Sequence, residues 1–99
     1  MTDQAIFNEI TQWLATHFPT ELRSNWYVGI ASSIDDRLFG DHQVHRQNDV
    51  WIHRQALNAA HARSAEAMLL ELGHDGGRSG GDLTTTYVYA FRKSPTTIR

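Results

Sequence analysis

The chain of 99 residues contains no cysteine, only two prolines and no long apolar run. The lack of cysteine excludes a disulfide scaffold and a thiolate metal site, and it fits a reducing compartment. The N-terminal residues show neither a signal-peptide pattern nor a stretch that could cross a bilayer. We therefore expect a cytoplasmic protein that does not associate with membranes.

An excess of positive charge is also missing. Nine Lys and Arg residues stand against eleven Asp and Glu residues, which gives a formal net charge of −2 at pH 7. Non-specific affinity for nucleic acid depends on basic side chains that neutralise phosphates, so this balance argues against strong binding of that kind. The length predicts one domain over residues 1–99 with one modest core.

Residues 2–18 are predicted to form an amphipathic helix, with Thr2 or Asp3 as its N-cap and Pro19 as its end. One face carries apolar residues at helical spacing, namely Ile6, Ile10, Trp13 and Leu14. We expect this face to pack on a sheet, and binding of a protein partner is the less favoured alternative. Residues 1–25 thus form an N-terminal helix and a connector.

Another helix is predicted for residues 59–72, between an Asn58 N-cap and Gly73 as the end. Its apolar stripe consists of Ala62, Ala65, Met68, Leu69 and Leu72. Glu66 lies on the flank of this stripe. It is therefore either a solvated charge, the usual fate of glutamate, or a carboxylate at the edge of a cleft.

Residues 27–30 and 83–92 are rich in aromatic and β-branched side chains and are predicted to be strands. Residues 50–52 form either a short strand or the start of a helix. In the last strand Val88 and Ala90 share one face, and the other face carries Tyr87, Tyr89 and Phe91. The predicted fold is α+β, with a small, mostly antiparallel sheet of two or three strands flanked by about three helices. Residues 93–99 are expected to form a frayed tail.

The connection after the first strand suggests a binding site. Gly29 lets another backbone or a phosphate come close, and the Ser32-Ser33 pair can cap a helix over residues 34–39 that Gly40 ends in a left-handed conformation. Arg37 then lies about one turn inside this helix on the side that faces the sheet. An ordinary strand-to-helix connection with a surface arginine is an equally good interpretation.

Five glycines fall among residues 73–81. Their bare amides could form an anion nest together with Arg78. A plain linker is the simpler interpretation, since no Gly-Lys-Ser/Thr ending marks a phosphate-binding loop.

These motifs resemble the second half of the GIY-YIG nuclease domain. The similar parts are Tyr27-Val28-Gly29, Arg37 eight positions after the glycine, His42, and an Ala-Arg-x-x-Glu helix at residues 62–66. The resemblance extends from about Trp26 to Phe91, so we divide the chain into a GIY-YIG-like region at 26–92 and a tail at 93–99.

The resemblance implies a metal-dependent endonuclease that cleaves DNA phosphodiesters. It gives Glu66 the role of holding one Mg²⁺ or Mn²⁺ ion, and Arg37 the role of stabilising charge on the phosphate. It also implies that a tyrosine helps to activate or position the attacking water, and Tyr27 is counted among the candidate catalytic residues. The candidate substrate contacts are Gly29, Arg63 and Arg78.

The first family motif, a Gly-Ile-Tyr strand, has no counterpart before Tyr27. Tyr87 or Tyr89 could supply the missing tyrosine if the last strand lies beside the first, and His42 could act as a base near neutral pH. If nothing replaces it, the chain is a catalytically inactive module that binds a protein or nucleic-acid partner.

Two other sites are weakly indicated. His42 and His45 lie three residues apart beside Asp41, but His53 and His61 provide no second pair at helical spacing for a zinc ion. A serine-hydrolase triad is less favoured still, because no serine has the nucleophile-elbow context. The serines weighed are Ser32, Ser33, Ser64 and Ser79.

Overall fold

A computed structural model of the chain describes residues 1–77 and 81–99 and confirms the α+β class. Its helices are α1 (Asp3–His17) and α2 (Ala59–Leu72), and its strands are β1 (Trp26–Ala31), β2 (Trp51–Gln55) and β3 (Tyr87–Arg92). A 3₁₀ turn at Arg23–Asn25 precedes β1, and a π-helical segment at Asp35–Asp41 follows it. Within the described ranges, no helix has the length and apolar character needed to span a bilayer.

In the described part of the chain the sheet has three strands in the order β1-β3-β2, and both pairings are antiparallel. The last strand in the sequence is therefore the central one. Its Tyr89 lies opposite Gly29 on one side and His53 on the other. This register brings residues from three distant parts of the chain into one row across the sheet.

Both long helices pack on one face of the sheet, which we call the inner face. Thr2 caps α1 by accepting the Ala5 amide, and Asn58 caps α2 by accepting the His61 amide, as predicted. Gly73, with φ of 117°, ends α2 in the left-handed region that favours glycine. The buried apolar core includes Ile6, Ile10, Leu14, Val28, Ile30, Ile52, Ala62, Ala65, Leu69, Val88 and Ala90.

The opposite face of the sheet, which we call the outer face, is covered by the π-helical segment and the loop after it. Its buried cluster consists of Ala31, Leu38, Val44, Tyr89 and Phe91, with half-buried Tyr27, Ile34, Phe39 and Trp51 packed against it. Side chains alternate between the faces of a strand, so neighbouring residues of β1 and β3 belong to different clusters.

The predicted end of the second helix at Gly40 is wrong. The His42 amide donates to the Arg37 carbonyl at 2.9 Å, an i to i+5 bond that carries the helical turns through Asp41. The left-handed residue is Gln43, with φ of 55°. The predicted cap is correct for Ser33, whose hydroxyl accepts the Asp36 amide at 3.2 Å.

Two further boundaries differ from the predictions. β3 begins at Tyr87 rather than Leu83, because the Asp82 carboxylate accepts the Thr84 amide at 2.8 Å and holds this segment in a turn. The ambiguous segment at residues 50–52 leads into strand β2.

The tail at residues 93–99 is ordered rather than frayed. The Ile98 amide donates to the His42 carbonyl at 2.7 Å, and Lys93 and Arg99 each lie 2.8 Å from a carboxylate oxygen of Asp75. These contacts, which the sequence could not reveal, hold the tail against the end of the π-helical segment and the edge of β1.

Candidate functional site

Tyr89 lies at the centre of the outer face and is 1% exposed. Its ring crosses over Gly29 of the neighbouring strand, and a Cβ atom added at Gly29 would collide with the Tyr89 hydroxyl. A residue without a side chain is required at this position because the tyrosine occupies the space that the side chain would fill. β3 pairs with β1, as the sequence analysis required for a tyrosine of β3 to take the place of the missing tyrosine.

His42 follows the π-helical segment and bonds at both ring nitrogens. Its Nε2 lies 2.7 Å from the Tyr89 hydroxyl, and its Nδ1 lies 2.6 Å from the Ile98 carbonyl oxygen. A carbonyl can only accept, so Nδ1 carries the proton and Nε2 of the neutral ring accepts the proton of Tyr89. Burial lowers the pKa of His42, and the charge of Arg37 lowers it further, although the bond to Ile98 opposes this shift. His42 is therefore neutral at pH 7.

Burial raises the pKa of Tyr89, so its hydroxyl stays protonated and donates to His42. The positive charge of Arg37 opposes this rise, whereas the carboxylate of Glu66 adds to it. Arg37 has the larger effect of the two, since it also acts on the hydroxyl through a hydrogen bond.

Arg37 belongs to the π-helical segment and lies on the side that faces the sheet, as predicted. Its Nε is 3.2 Å from a carboxylate oxygen of Asp41, and its side chain is 41% exposed. Its backbone carbonyl accepts the His42 amide, so the same turn positions both the arginine and the histidine. The guanidinium is thus held near Tyr89 while solvent or a ligand can still reach it.

Glu66 is 2% exposed, although it lies on the flank of α2. Glutamate is seldom buried to this extent, and the alternative of a solvated helix charge is wrong. Tyr27 completes the group from β1. Its ring centroid is 5.0 Å from that of His42 and 5.4 Å from that of Phe91. The structure therefore brings Tyr27, Arg37, His42 and Tyr89 together on the outer face. Glu66 is carried by α2, which packs on the inner face, and it influences the Tyr89 hydroxyl through its charge.

The structure does not place the remaining predicted site residues in this group. Arg63 is exposed and lies one turn before Glu66 on α2. Arg78 lies outside the described residues. Among residues 1–77 and 81–99, no group of three His, Asp or Glu side chains could hold a metal ion, which removes the support for a histidine zinc site around His42 and His45.

One divalent ion held by a single protein carboxylate remains compatible with the donors present. Glu66 offers a hard oxygen of the type that Mg²⁺ and Mn²⁺ prefer, and such ions commonly take their other ligands from water and phosphate. Glu66 is buried on α2, and its charge reaches the Tyr89 hydroxyl.

Sequence reasoning missed the partner that fixes the orientation of His42. The Ile98 carbonyl is a backbone group on a residue 56 positions away, so the identity of Ile98 carries no signal of its role. The alternation of side chains along the last strand did predict that Tyr89 lies on the same face as Tyr87.

Neither a protein-family model, nor a curated protein, nor a solved structure matches this chain.

Proposed function

We propose that the chain is a divergent metal-dependent endonuclease domain that cleaves DNA phosphodiesters on the outer face of its sheet. The observation that supports this most strongly is the hydrogen bond between Tyr89 and neutral His42. The charge of Arg37 lowers the pKa of the Tyr89 hydroxyl, and the charge of Glu66 raises it. The proposal also retains the cytoplasmic location expected from the sequence.

The His42–Tyr89 pair is suited to accept a proton from an attacking water. Tyr89 donates its own proton to Nε2 of His42, and its oxygen takes up a proton from the water as the new bond to phosphorus forms. The histidine then carries the positive charge, while the Ile98 carbonyl continues to accept from Nδ1. The net change is transfer of one proton from the water to His42.

Arg37 is the candidate partner of the phosphate. A guanidinium presents N–H groups in a planar fork that matches phosphate oxygens, and a contact that strengthens in the transition state can lower the barrier by about 3–4 kcal/mol. Its salt bridge to Asp41 is half-exposed, so the phosphate can replace or share this partner at small cost.

Glu66 is the residue that would hold the divalent ion. Bound there, Mg²⁺ or Mn²⁺ would neutralise charge that develops on the phosphodiester. Burial disfavours ionised Tyr89, and the charge of Glu66 adds to this effect.

Incubation of the purified protein with supercoiled plasmid and with single-stranded DNA, in Mg²⁺ or Mn²⁺, tests the proposal. We expect nicking that Arg37→Ala and Glu66→Gln each reduce by about 100-fold or more. The matched controls are Arg54→Ala, which removes an arginine bound to Glu9 elsewhere on the surface, and Glu71→Gln, which changes an exposed glutamate of the same helix. Absence of nicking, or equal loss in the control variants, would refute the nuclease assignment.

The deep burial of Tyr89 and Glu66 favours one other function. In this second proposal the site no longer cleaves, and the domain binds a nucleic-acid or protein partner through the same face. Retention of DNA by the wild-type protein without cleavage in any divalent metal would support this assignment. Metal-dependent cleavage would exclude it.

A further inference from the structure

A groove of roughly 340 Å³ lies on the outer face beside the candidate site. Its walls include aromatic side chains from three separate elements and one arginine at the rim. They are Phe39, Arg46, Trp51, His53 and Tyr87. None of these side chains belongs to the proposed catalytic group.

The sheet register places the groove next to Tyr89. His53 is the direct neighbour of Tyr89 on β2, whereas Gly29, over which the hydroxyl lies, is the neighbour on β1. Adjacent strands are about 4.8 Å apart, so the groove begins on the order of 10 Å from the Tyr89 hydroxyl. The hydroxyl itself is buried and bonded to His42, so a DNA strand would reach the groove from the half-exposed Arg37 on the same face.

The aromatic rings in the groove are held in fixed orientations. Trp51 and His53 are two residues apart on β2, and their planes are nearly parallel, at 7° with 5.8 Å between centroids. The Trp51 indole donates to the Arg46 carbonyl at 3.0 Å, and its ring meets that of Phe39 edge-on at 5.0 Å. A half-buried, oriented indole offers a flat apolar surface for another planar ring.

The charges in the groove nearly cancel. Arg46 lies over the Phe39 ring at 3.9 Å and bonds to the Asp35 carboxylate at 2.9 Å. Burial lowers the pKa of His53, so this ring is neutral at pH 7. Nδ1 of His53 is buried and has no hydrogen-bond partner among the residues that the structure describes. An uncharged planar ligand fits these walls better than a phosphate alone.

We infer that the groove is a stacking site for an unpaired nucleobase next to the phosphodiester bound at Arg37. The position of that phosphodiester rests on the proposed function. Bases in a duplex present their flat faces to each other, whereas single-stranded DNA leaves them free to stack on aromatic side chains regardless of sequence. The inferred substrate class is therefore single-stranded DNA or a frayed end.

Binding in EDTA tests this inference without requiring cleavage. The probes are a labelled oligothymidylate of about 12 nucleotides, an oligomer of the same length and charge with abasic sites throughout, and a blunt duplex. We expect the abasic oligomer and the duplex to bind about tenfold more weakly than oligothymidylate. Equal binding of the normal and abasic oligomers would overturn the inference.

Substitutions at Trp51 test whether the preference for normal over abasic DNA arises in the groove. Trp51→Leu should abolish the preference for normal over abasic DNA, whereas Trp51→Phe should retain most of it, since a phenyl ring still stacks. If Trp51→Leu does not fold, Tyr87→Leu and Tyr87→Phe provide the same comparison on β3. A folded Leu variant at Trp51 that keeps the full preference would contradict the inference.

The same probes separate the two proposals. A preference for normal DNA in EDTA, without cleavage when Mg²⁺ or Mn²⁺ is added, would refute the nuclease assignment and leave the stacking site intact. Cleavage of DNA together with equal binding of normal and abasic oligomers would refute the stacking site and support the nuclease assignment.

Discussion

The two faces of the sheet are built from the same three strands but differ in chemistry. The inner face joins β1 and β3 to the helices α1 and α2 through aliphatic side chains such as Val28, Val88 and Leu69. The outer face carries tyrosines, histidines and an arginine beneath a π-helical segment. Because side chains alternate along each strand, one sequence pattern supports a packed core on one side and an ionisable site on the other.

This difference suggests a division of roles between the faces. Removing an apolar side chain of the inner face should lower stability without altering the chemistry of the folded protein, whereas a change on the outer face should alter activity more than stability.

The largest expected loss of stability is that of Leu69→Ala. Leu69 is fully buried between α2 and the sheet, so truncation should lower the free energy of unfolding by about 2–5 kcal/mol. Urea denaturation measures this loss, and nicking by the folded variant, at a temperature well below its transition, should match the wild type. A lower rate in fully folded Leu69→Ala would show that the two faces are not independent.

Gly29→Ala should affect both stability and activity. The added methyl group collides with the Tyr89 hydroxyl, and such overpacking typically costs about 1–3 kcal/mol. Displacement of Tyr89 should also weaken its bond to His42 and reduce nicking. Gly40→Ala is the matched control, because its new Cβ would meet no atom closer than 3.8 Å. Wild-type nicking by Gly29→Ala would argue against the role of Tyr89.

Stability should decrease as the pH falls below about 6.5, the ordinary pKa of histidine. Burial lowers the pKa of His42, His53 and His74, so the unfolded chain binds protons in a range where the folded protein does not. Stability then rises with pH across this range and is lost below it. Urea denaturation between pH 5 and 8 measures the slope, which His42→Gln should reduce. A flat profile would contradict the neutral state assigned to His42.

The smallest expected effect is that of Arg99→Ala. Arg99 pairs with Asp75 at 2.8 Å, but its side chain is 65% exposed, and such surface pairs contribute about 0–1 kcal/mol. Urea denaturation should therefore detect little change, and Lys93 should continue to hold Asp75. A loss well above 1 kcal/mol would show that the tail stabilises the domain more than its exposed pairs suggest.

The inner face was largely predictable from the sequence. The period of apolar residues and the caps at Thr2, Asn58 and Gly73 are local signals, and they predicted both long helices to within one residue. The alternation along the last strand likewise separated Val88 from Tyr89 correctly, since strand period does not depend on the partner strand.

The outer face was only partly predictable. Arg37 and His42 were identified as candidates on this face, but the third candidate, Glu66, lies on α2 and is buried by packing that no local pattern encodes. Gly40 gave a misleading stop signal because the π-helical turn continues past it. The contact between His42 and Ile98 joins two distant segments, and it could not be predicted because every residue has the same backbone carbonyl.

The most direct test of the account compares two tyrosines of β3 that share the outer face. Tyr89→Phe removes the hydroxyl that bonds to His42, whereas Tyr87→Phe removes a hydroxyl from the edge of the groove. In a metal-dependent nicking assay with both variants shown to be folded, we predict that Tyr89→Phe lowers the rate by about 100-fold or more and that Tyr87→Phe leaves it within about threefold of the wild type. Equal rates for the two variants would contradict the assignment of the Tyr89–His42 pair as the centre of the active site.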